Sequence, residues 1–152
     1  MNSQPLSLAP VARGYGRILT RGLDCLLGLL RERFLPIYGS GQNIRDWIFI
    51  EDNCRAIHMV LEKAEKGEVY NIGAGNEKKN VEIAKEILRC LSLPEAMIEL
   101  VGDRTGHDFR YSLSCDKIDR LGWKPQVGFE EGLQKTIDWY KVNKWWWRRL
   151  VE

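Results

Sequence analysis

Short apolar runs alternate with amphipathic helical patterns through most of this chain, and this alternation restricts its fold more than any other feature. Trp47-Ile-Phe-Ile50 and Val69-Tyr-Asn-Ile72 have the composition of short buried strands, and Met97–Val101 is a third candidate. Glycine and proline punctuate the pattern, as Gly73 and Gly75 do after the second run. Strands that alternate with helices predict an α/β protein with a small, incomplete sheet.

Four helices are predicted after these runs. Residues suited to begin the first three are Asp52, Asn80 and Ser114, and residues suited to end them are Gly67, Pro94 and Gly122. The first helix would have an apolar face made of Ala56, Ile57, Val60, Leu61 and Ala64. The last would have an inner face made of Phe129, Leu133, Ile137 and Tyr140.

Length and composition exclude several classes of protein. A chain of 152 residues suggests one domain, and 44% hydrophobic with 29% charged residues is typical of a globular protein. A net charge of +2 gives no reason to expect nucleic acid as a partner, and no apolar run is long enough to predict a membrane span. The four cysteines form no CxxC pair, so we expect reduced thiols, no metal site and a cytoplasmic location.

Residues 1–34 differ in composition from the rest. Arg13, Arg17 and Arg21 recur at every fourth position, and no acidic residue precedes Asp24. Leucine and isoleucine between residues 18 and 30 would form an apolar helical stripe. A basic, acid-poor, amphipathic segment is typical of an organelle transit peptide. The interpretation we favour is simpler: a helix that precedes the first motif.

The segment 36–47, Pro-Ile-Tyr-Gly-Ser-Gly-Gln-Asn-Ile-Arg-Asp-Trp, is a candidate ligand loop. Its glycines allow the backbone to approach a ligand closely, and Arg45 offers a planar donor fork suited to phosphate. Tyr38 offers a flat face to a base or a sugar. A hairpin-like loop with a surface pair between Arg45 and Asp46 explains the same residues equally well.

A second candidate loop is 102–111, Gly-Asp-Arg-Thr-Gly-His-Asp-Phe-Arg-Tyr. Arg104, His107 and Arg110 together could neutralise a diphosphate. Alternatively the loop is a solvated charge cluster in which Asp103 and Asp108 hold the arginines.

Two further motifs resemble parts of a dinucleotide enzyme. Gly73-Ala-Gly75 follows a predicted strand, but Lys78 stands where the third glycine of GxGxxG belongs, which argues against an NAD site. Asn71, directed from the strand end toward a ligand, is the more credible contact. Tyr140 and Lys144 have YxxxK spacing, but Tyr140 completes an apolar helical stripe, which favours a structural role.

Segments 36–47, 67–77 and 103–111, followed by Leu121-Gly-Trp-Lys-Pro125 and 131–140, together resemble one family. This order is similar to the C-terminal portion of dTDP-glucose 4,6-dehydratases, members of the extended short-chain dehydrogenase superfamily. The resemblance covers about residues 35–147, and the Asp-Arg-x-Gly-His-Asp loop is its most specific part. Thr105 departs from the proline that is frequent there in the family, which should loosen the loop.

The resemblance implies seven substrate-binding residues: Pro36, Ile37, Tyr38, Arg45, Asn71, Arg104 and His107. The first three would line a pocket for thymine and deoxyribose. The next two would reach the nucleotide and its diphosphate, and the last two would close over the opposite side of the diphosphate.

The resemblance also implies a division of the chain. Residues 1–34 would be a divergent helical segment, 35–147 the C-terminal strands of a Rossmann-type sheet with the small α/β substrate-binding lobe, and 148–152 a tail. In the family, NAD and the catalytic residues belong to an N-terminal half that precedes the Pro-Ile-Tyr-Gly segment, and residues 1–34 do not resemble it. We therefore expect no cofactor and no catalytic residue in this chain.

The resulting functional hypothesis is the dTDP-glucose-binding part of a 4,6-dehydratase, which forms a 4-keto-6-deoxy sugar. It would be inactive alone, and its partners would be a dTDP-sugar nucleotide and either a separate NAD-binding half or a second copy of itself. The alternatives are a non-catalytic nucleotide-sugar binding module, a truncated remnant, and another nucleotide-sugar epimerase or dehydratase.

Overall fold

Two small sheets and five helices make up the part of the chain described by the computed structural model, residues 9–10 and 34–151. In the first sheet, strand β3 (Ile44–Ile48) pairs antiparallel with β1 (Ala9–Pro10) and with β4 (Glu77–Lys79). In the second, β2 (Leu35–Tyr38) pairs in parallel with β5 (Ile98–Val101). The helices are α1 (Ile50–Lys63), α2 (Asn80–Leu91), α3 (Asp116–Asp119), α4 (Phe129–Val142) and α5 (Lys144–Val151). The α/β class predicted from the sequence is confirmed.

The larger core lies between β2, α2 and α4. Alternate residues of β2 face it, because side chains of a strand point to opposite sides, and Leu35 and Ile37 are the buried ones. Helical spacing brings the buried faces of α2 and α4 against them, with Ile83, Ala84, Ile87 and Leu88 from α2 and Phe129, Leu133, Ile137 and Tyr140 from α4. The predicted inner face of the last helix is therefore correct.

A smaller core joins β3 and α1 to the chain around α3. It contains Ile48, Ala56, Ile118 and Trp123. Of the apolar face predicted for α1, Ala56 is fully buried, whereas Ile57 and Leu61 are 46% and 80% exposed. That part of the prediction was wrong, because the described residues pack against the side of α1 that carries Ala56.

Asp52 does not begin α1 as predicted. The helix starts at Ile50, and Asp52 lies two residues further in, fully buried and paired with Arg55. Its carboxylate accepts hydrogen bonds from the backbone amides of Gln126 (2.8 Å) and Val127 (3.0 Å), just before α4. The Asp52 carboxylate, which the local sequence pattern predicted to cap α1, therefore binds backbone amides of a distant part of the chain instead. The strand predicted at Trp47–Ile50 is correspondingly β3, displaced toward the N-terminus.

The predicted strand Val69–Ile72 has no strand pairing, and Val69 is 58% exposed. A strand exists through hydrogen bonds to a neighbour, and among the described residues no strand lies beside this segment. Helix α1 also ends four residues before Gly67, which instead occupies a turn with φ of +84°.

Other boundaries lie close to the predicted ones. Helix α2 begins at Asn80 with Lys79 as its N-cap, and Met97–Val101 becomes β5 after a 3₁₀ turn, Glu95–Met97. Helix α3 is shorter than expected and ends before Gly122. The basic helical stripe of residues 13–30 and Cys25 lie outside the described residues. No helix of the described part is long and apolar enough to cross a membrane.

Candidate functional site

The turn that follows β2 carries the first candidate loop. Gly39 and Gly41 have φ of +57° and +69°, and the Gly41 amide donates to the Tyr38 carbonyl at 3.1 Å. A Cβ on Gly41 would lie 2.7 Å from Ile37 Cγ2 and 3.0 Å from Val81 Cβ. Glycine is required here because α2 packs directly against the turn.

The second candidate loop leaves β5 beside this turn. Tyr38 lies opposite Val101 in the parallel pair of β2 and β5, so the segments that follow these two strands leave the sheet at the same edge. The Gly39 amide donates to the Val101 carbonyl at 2.9 Å, which fastens the two exits together. The carboxyl end of parallel strands is the usual place for ligands in α/β sheets. The fold therefore joins two motifs whose linked residues, Gly39 and Val101, are more than 60 positions apart in the chain.

Tyr38, Arg104 and His107 come together at this edge, and we call them the Tyr38 cluster. The Arg104 guanidinium carbon lies 5.2 Å from the centroid of the Tyr38 ring. The His107 ring meets the Tyr38 ring edge-on, with centroids 6.5 Å apart at 85°. Three of the seven predicted site residues are thus neighbours in space.

Asp103 supports this cluster from within the second loop. Its Oδ1 accepts a hydrogen bond from His107 Nδ1 at 2.7 Å and from the Arg104 amide at 2.8 Å. These hydrogen bonds, with the His107 contact first, lower the pKa of Asp103 below its ordinary value. The Asp103 carboxylate is therefore ionised at neutral pH, and it lies beside Arg104 and His107, the two residues proposed to contact a diphosphate.

Arg45 lies behind the second loop. Its guanidinium donates to the carbonyls of Ile44 (2.6 Å) and Asp108 (2.9 Å) and lies 4.2 Å from the centroid of the Tyr111 ring. A third, longer contact of 3.5 Å reaches the carbonyl of Phe109. Burial lowers the pKa of Arg45, and the charges of Tyr111 and Asp108 oppose that effect. Much of the donor fork that the sequence offered to a phosphate is thus directed at backbone carbonyls.

The remaining three predicted residues have different surroundings. Pro36 is exposed, whereas Ile37 is 7% exposed and packs in the larger core, so its side chain supports the edge from beneath. Asn71 donates from its side-chain amide to the Ser114 carbonyl at 3.1 Å, which places it beside the segment leading into α3. The fold does not bring Asn71 into the Tyr38 cluster.

The surface pair of Arg45 and Asp46 is not formed, because neighbouring residues of β3 point to opposite faces. Asp46 instead accepts hydrogen bonds from the amides of Gly75 (3.1 Å) and Asn76 (2.7 Å). A Cβ on Gly73 would collide with the same carboxylate and lie 3.1 Å from Cys115 Sγ. A carboxylate thus occupies the amides that a dinucleotide phosphate would need, so this glycine segment does not fit NAD.

Tyr140 and Lys144 do not form a catalytic pair. Tyr140 is 2% exposed in α4, and burial raises its pKa to about 12. A catalytic tyrosine of this kind needs a lowered pKa, and Lys144 belongs to the next helix. Tyr140 instead receives a hydrogen bond at its carbonyl from Trp147 Nε1 at 2.8 Å, which ties α5 to α4.

Two residues near the site, Asn43 and Tyr111, had no role in the sequence prediction of ligand contacts, and a third, Arg110, had been offered to a diphosphate. Asn43, 6% exposed, donates to the Asp108 carbonyl at 3.1 Å, and the Tyr111 hydroxyl donates to the Asp108 carboxylate. Arg110 pairs with Glu77 Oε2 at 2.6 Å, so its guanidinium is engaged away from the Tyr38 cluster. The high density of polar residues in the two sequence motifs indicates that such contacts exist, but it does not indicate which residues pair with each other.

Sequence and structure comparisons agree on the kind of protein that this edge belongs to. The sequence profile of the family described as GDP-mannose 4,6 dehydratase matches residues 24–136. The structure is similar to those of nucleotide-sugar dehydratases and epimerases with Rossmann-type folds. The chain belongs to this GDP-mannose 4,6 dehydratase family.

Within the family, the dTDP-glucose 4,6-dehydratases are close relatives. One from Escherichia coli is 44% identical over 139 residues, covering 84% of this chain and 38% of the relative. The Bacillus anthracis enzyme, solved with NAD, has a TM-score of 0.78 and 44% identity over 83% of this chain and 40% of that one. The Streptomyces venezuelae enzyme DesIV, solved with NAD and TYD bound, has a TM-score of 0.79 and 44% identity, covering 82% of this chain and 39% of that one.

A more distant likeness is the UDP-glucose 4-epimerase of Thermotoga maritima, solved with UDP-glucose. It has a TM-score of 0.75 and 26% identity, covering 90% of this chain and 43% of that one. The chain therefore spans about two fifths of the length of the proteins that it matches.

Proposed function

We propose that this chain is the nucleotide-sugar-binding part of a dTDP-glucose 4,6-dehydratase, with the ligand held at the Tyr38 cluster. The observation that supports the proposal is the placement of Arg104 and His107 against one aromatic ring, at the edge where β2 and β5 end. The relatives at 40–47% identity are dTDP-glucose 4,6-dehydratases or a probable one. The names of these relatives support dTDP-glucose as the ligand, and the geometry of the cluster supports this edge as its site.

Each residue of the cluster has a chemical part in the proposal. The base and the deoxyribose pack on the face of Tyr38 and on the exposed ring of Pro36. Arg104 offers a planar fork to the diphosphate, and His107 offers its Nε2 edge because Nδ1 is engaged by Asp103. Arg45 adds positive charge from behind the loop, and Asn71 remains a proposed contact to the nucleotide.

The proposal assigns binding to these residues and no redox step. In the family the reaction begins with oxidation of the sugar C4 to a ketone, which needs NAD as hydride acceptor, and the described glycine segment does not fit that cofactor. Turnover would then need an NAD-binding half in addition to the described residues, and the partners proposed for this chain are a separate NAD-binding half or a second copy of itself. Incubation with NAD and dTDP-glucose tests this, because formation of a 4-keto sugar by the purified chain would contradict a binding role alone.

Calorimetric titration with dTDP, with UDP as comparison, tests the binding site itself. Arg104→Ala should weaken dTDP binding about tenfold or more, since a charge-assisted contact contributes about 1.5–3 kcal/mol. Arg120→Ala, an exposed arginine beyond α3, is the matched control and should bind as the parent does. Equal affinity of Arg104→Ala and the parent would refute the site.

The same titration separates the dehydratase from its nearest alternative. Preference for dTDP is expected of a dTDP-glucose 4,6-dehydratase, whereas preference for UDP would favour an epimerase similar to the Thermotoga maritima protein. Selective dTDP binding without any 4-keto product in the presence of NAD would favour the non-catalytic binding module. A folded chain that binds neither nucleotide would favour the truncated remnant.

A further inference from the structure

Asp103 is a carboxylate in direct contact with the Tyr38 cluster. Its Oδ1 accepts from both the Arg104 amide and His107 Nδ1, which closes a ring of five residues. The His107 amide also donates to the Arg104 carbonyl at 3.2 Å, and Gly106 makes the tight return with φ of +71°. The loop is thus folded around this carboxylate.

Asp103 also faces the first candidate loop. A Cβ on Gly39 would lie 2.7 Å from Asp103 Oδ2 and 2.9 Å from its Cγ, so the absence of a side chain at Gly39 makes room for the carboxylate. The carboxylate therefore lies against the turn that carries Tyr38. The position of the carboxylate relative to the Tyr38 ring is fixed from two sides, by its own loop and by this turn.

This contact controls the protonation pattern of the His107 ring. Because an ionised carboxylate only accepts hydrogen bonds, Nδ1 must carry the proton that it donates to Asp103. In the neutral ring the proton then resides on Nδ1, and Nε2 presents a lone pair; in the charged ring Nε2 presents a donor. The His107 side chain is 5% exposed, so the ring is shielded, whereas the Asp103 carboxylate is 49% exposed and keeps contact with water.

We propose that Asp103 is a positioning residue of this site: its carboxylate fixes the His107 tautomer and holds Arg104 and His107 in register with Tyr38. The proposal rests on the proposed function for its ligand. It assigns no ligand contact to Asp103, whose negative charge would repel a diphosphate if the two approached closely. Its effect on binding is transmitted through the two neighbours that it orients.

Nitrogen NMR of the two histidines tests the positioning directly, without ligand. In the full chain with ¹⁵N-labelled histidine, the neutral His107 ring should show the Nδ1-protonated pattern. Asp103→Ala should convert it to a mixture of tautomers, whereas Asp103→Asn, whose amide oxygen still accepts, should largely restore the parent pattern. His58, exposed on α1 beside Glu62, is the internal control and should not change in either variant.

Titration with dTDP then distinguishes failure of this inference from failure of the proposed function. Asp103→Ala should bind dTDP roughly tenfold more weakly than the parent, and Asp103→Asn should recover most of that loss. Asp119→Ala, which removes an exposed carboxylate of α3, should bind as the parent does. A parent that binds dTDP while Asp103→Ala binds equally would overturn the inference and leave the proposed function standing.

An unchanged His107 tautomer in Asp103→Ala would overturn the inference whatever the affinities are. A parent that does not bind dTDP would refute the proposed function and the binding role of Asp103 together. In that case the tautomer experiment alone decides whether Asp103 orients His107. Thermal unfolding of each variant, compared with the parent, shows that the folded chain is being measured.

Discussion

Replacing Arg45 by alanine should destabilise the fold, whereas replacing Arg104 should not. Arg45 is 9% exposed, and its guanidinium donates to the carbonyls of Ile44 and Asp108. Arg104 is exposed, and its side chain contacts the Tyr38 ring. Arg45 of β3 and Arg104 of the second loop therefore contribute to stability in different ways.

The magnitude for Arg45 follows from its contacts. A hydrogen bond to a charged group contributes about 1.5–3 kcal/mol, and stacking on Tyr111 adds about 0.5–1 kcal/mol. Against this, burial of the guanidinium is costly, as its lowered pKa indicates. The Asp108 carbonyl would also keep a donor in Asn43 Nδ2 at 3.1 Å, so it is not left unpaired. We therefore expect Arg45→Ala to lose about 1–3 kcal/mol of unfolding free energy.

Equilibrium unfolding in urea measures this difference. With a urea dependence of about 1–3 kcal/mol per molar, Arg45→Ala should lower the midpoint by about 1 M. Arg104→Ala should lie within about 0.5 kcal/mol of the parent. Arg45→Lys keeps the charge without the planar fork and should fall between parent and Arg45→Ala. Equal midpoints for Arg45→Ala and the parent would refute the assignment of Arg45 to the loop.

Three further outcomes are expected. Asp52→Ala should cost about 3 kcal/mol in urea unfolding, because it leaves the amides of Gln126 and Val127 without their shared acceptor and Arg55 without its partner. A loss below about 1 kcal/mol would contradict this. Burial raises the pKa of Tyr140 from 10.0 to about 12, so the unfolding free energy should be unaffected by this group below pH 10 and should fall by about 2–3 kcal/mol as the pH rises toward 12. Tyr140→Phe should remove this part of the pH dependence. An unchanged pH profile in Tyr140→Phe would contradict the assignment to Tyr140. Gly39→Ala should weaken dTDP binding in calorimetry, because its Cβ displaces the Asp103 carboxylate and its φ is +57°; unaltered affinity would show that the turn yields without consequence.

Periodicity predicts those parts of the fold in which one neighbour decides the structure. The face of α4, from Phe129 to Tyr140, is buried as its spacing of three and four residues indicates. The sequence also places Arg104 in a loop after the predicted strand Met97–Val101 and Tyr38 in a candidate ligand segment. It predicts neither the strand β2 that ends at Tyr38 nor its parallel pairing with β5, and that pairing brings the two loops to one edge.

The wrong predictions share a cause, which is that a local pattern cannot show distant competition. Asp52 has the features of a helix cap, but amides 74 and 75 positions away use its carboxylate. Val69–Ile72 has strand composition, yet a strand needs a neighbour that the described residues do not provide. Ile57 and Leu61 follow helical spacing without being covered for the same reason.

The candidate site shows the same limit in its charges. The sequence offers four groups for a diphosphate in its two loops: Arg45, Arg104, His107 and Arg110. In the fold, Arg110 pairs with Glu77, and much of the Arg45 fork is directed at backbone carbonyls, so charge counting overstates the direct ligand contacts. In the proposed site, a loop that presents Arg104 to a dianion must itself be held against the repulsion of neighbouring cations. Arg45 at one end of the loop and Asp103 at the other provide that hold, which explains why the motif needs more charged residues than the ligand does.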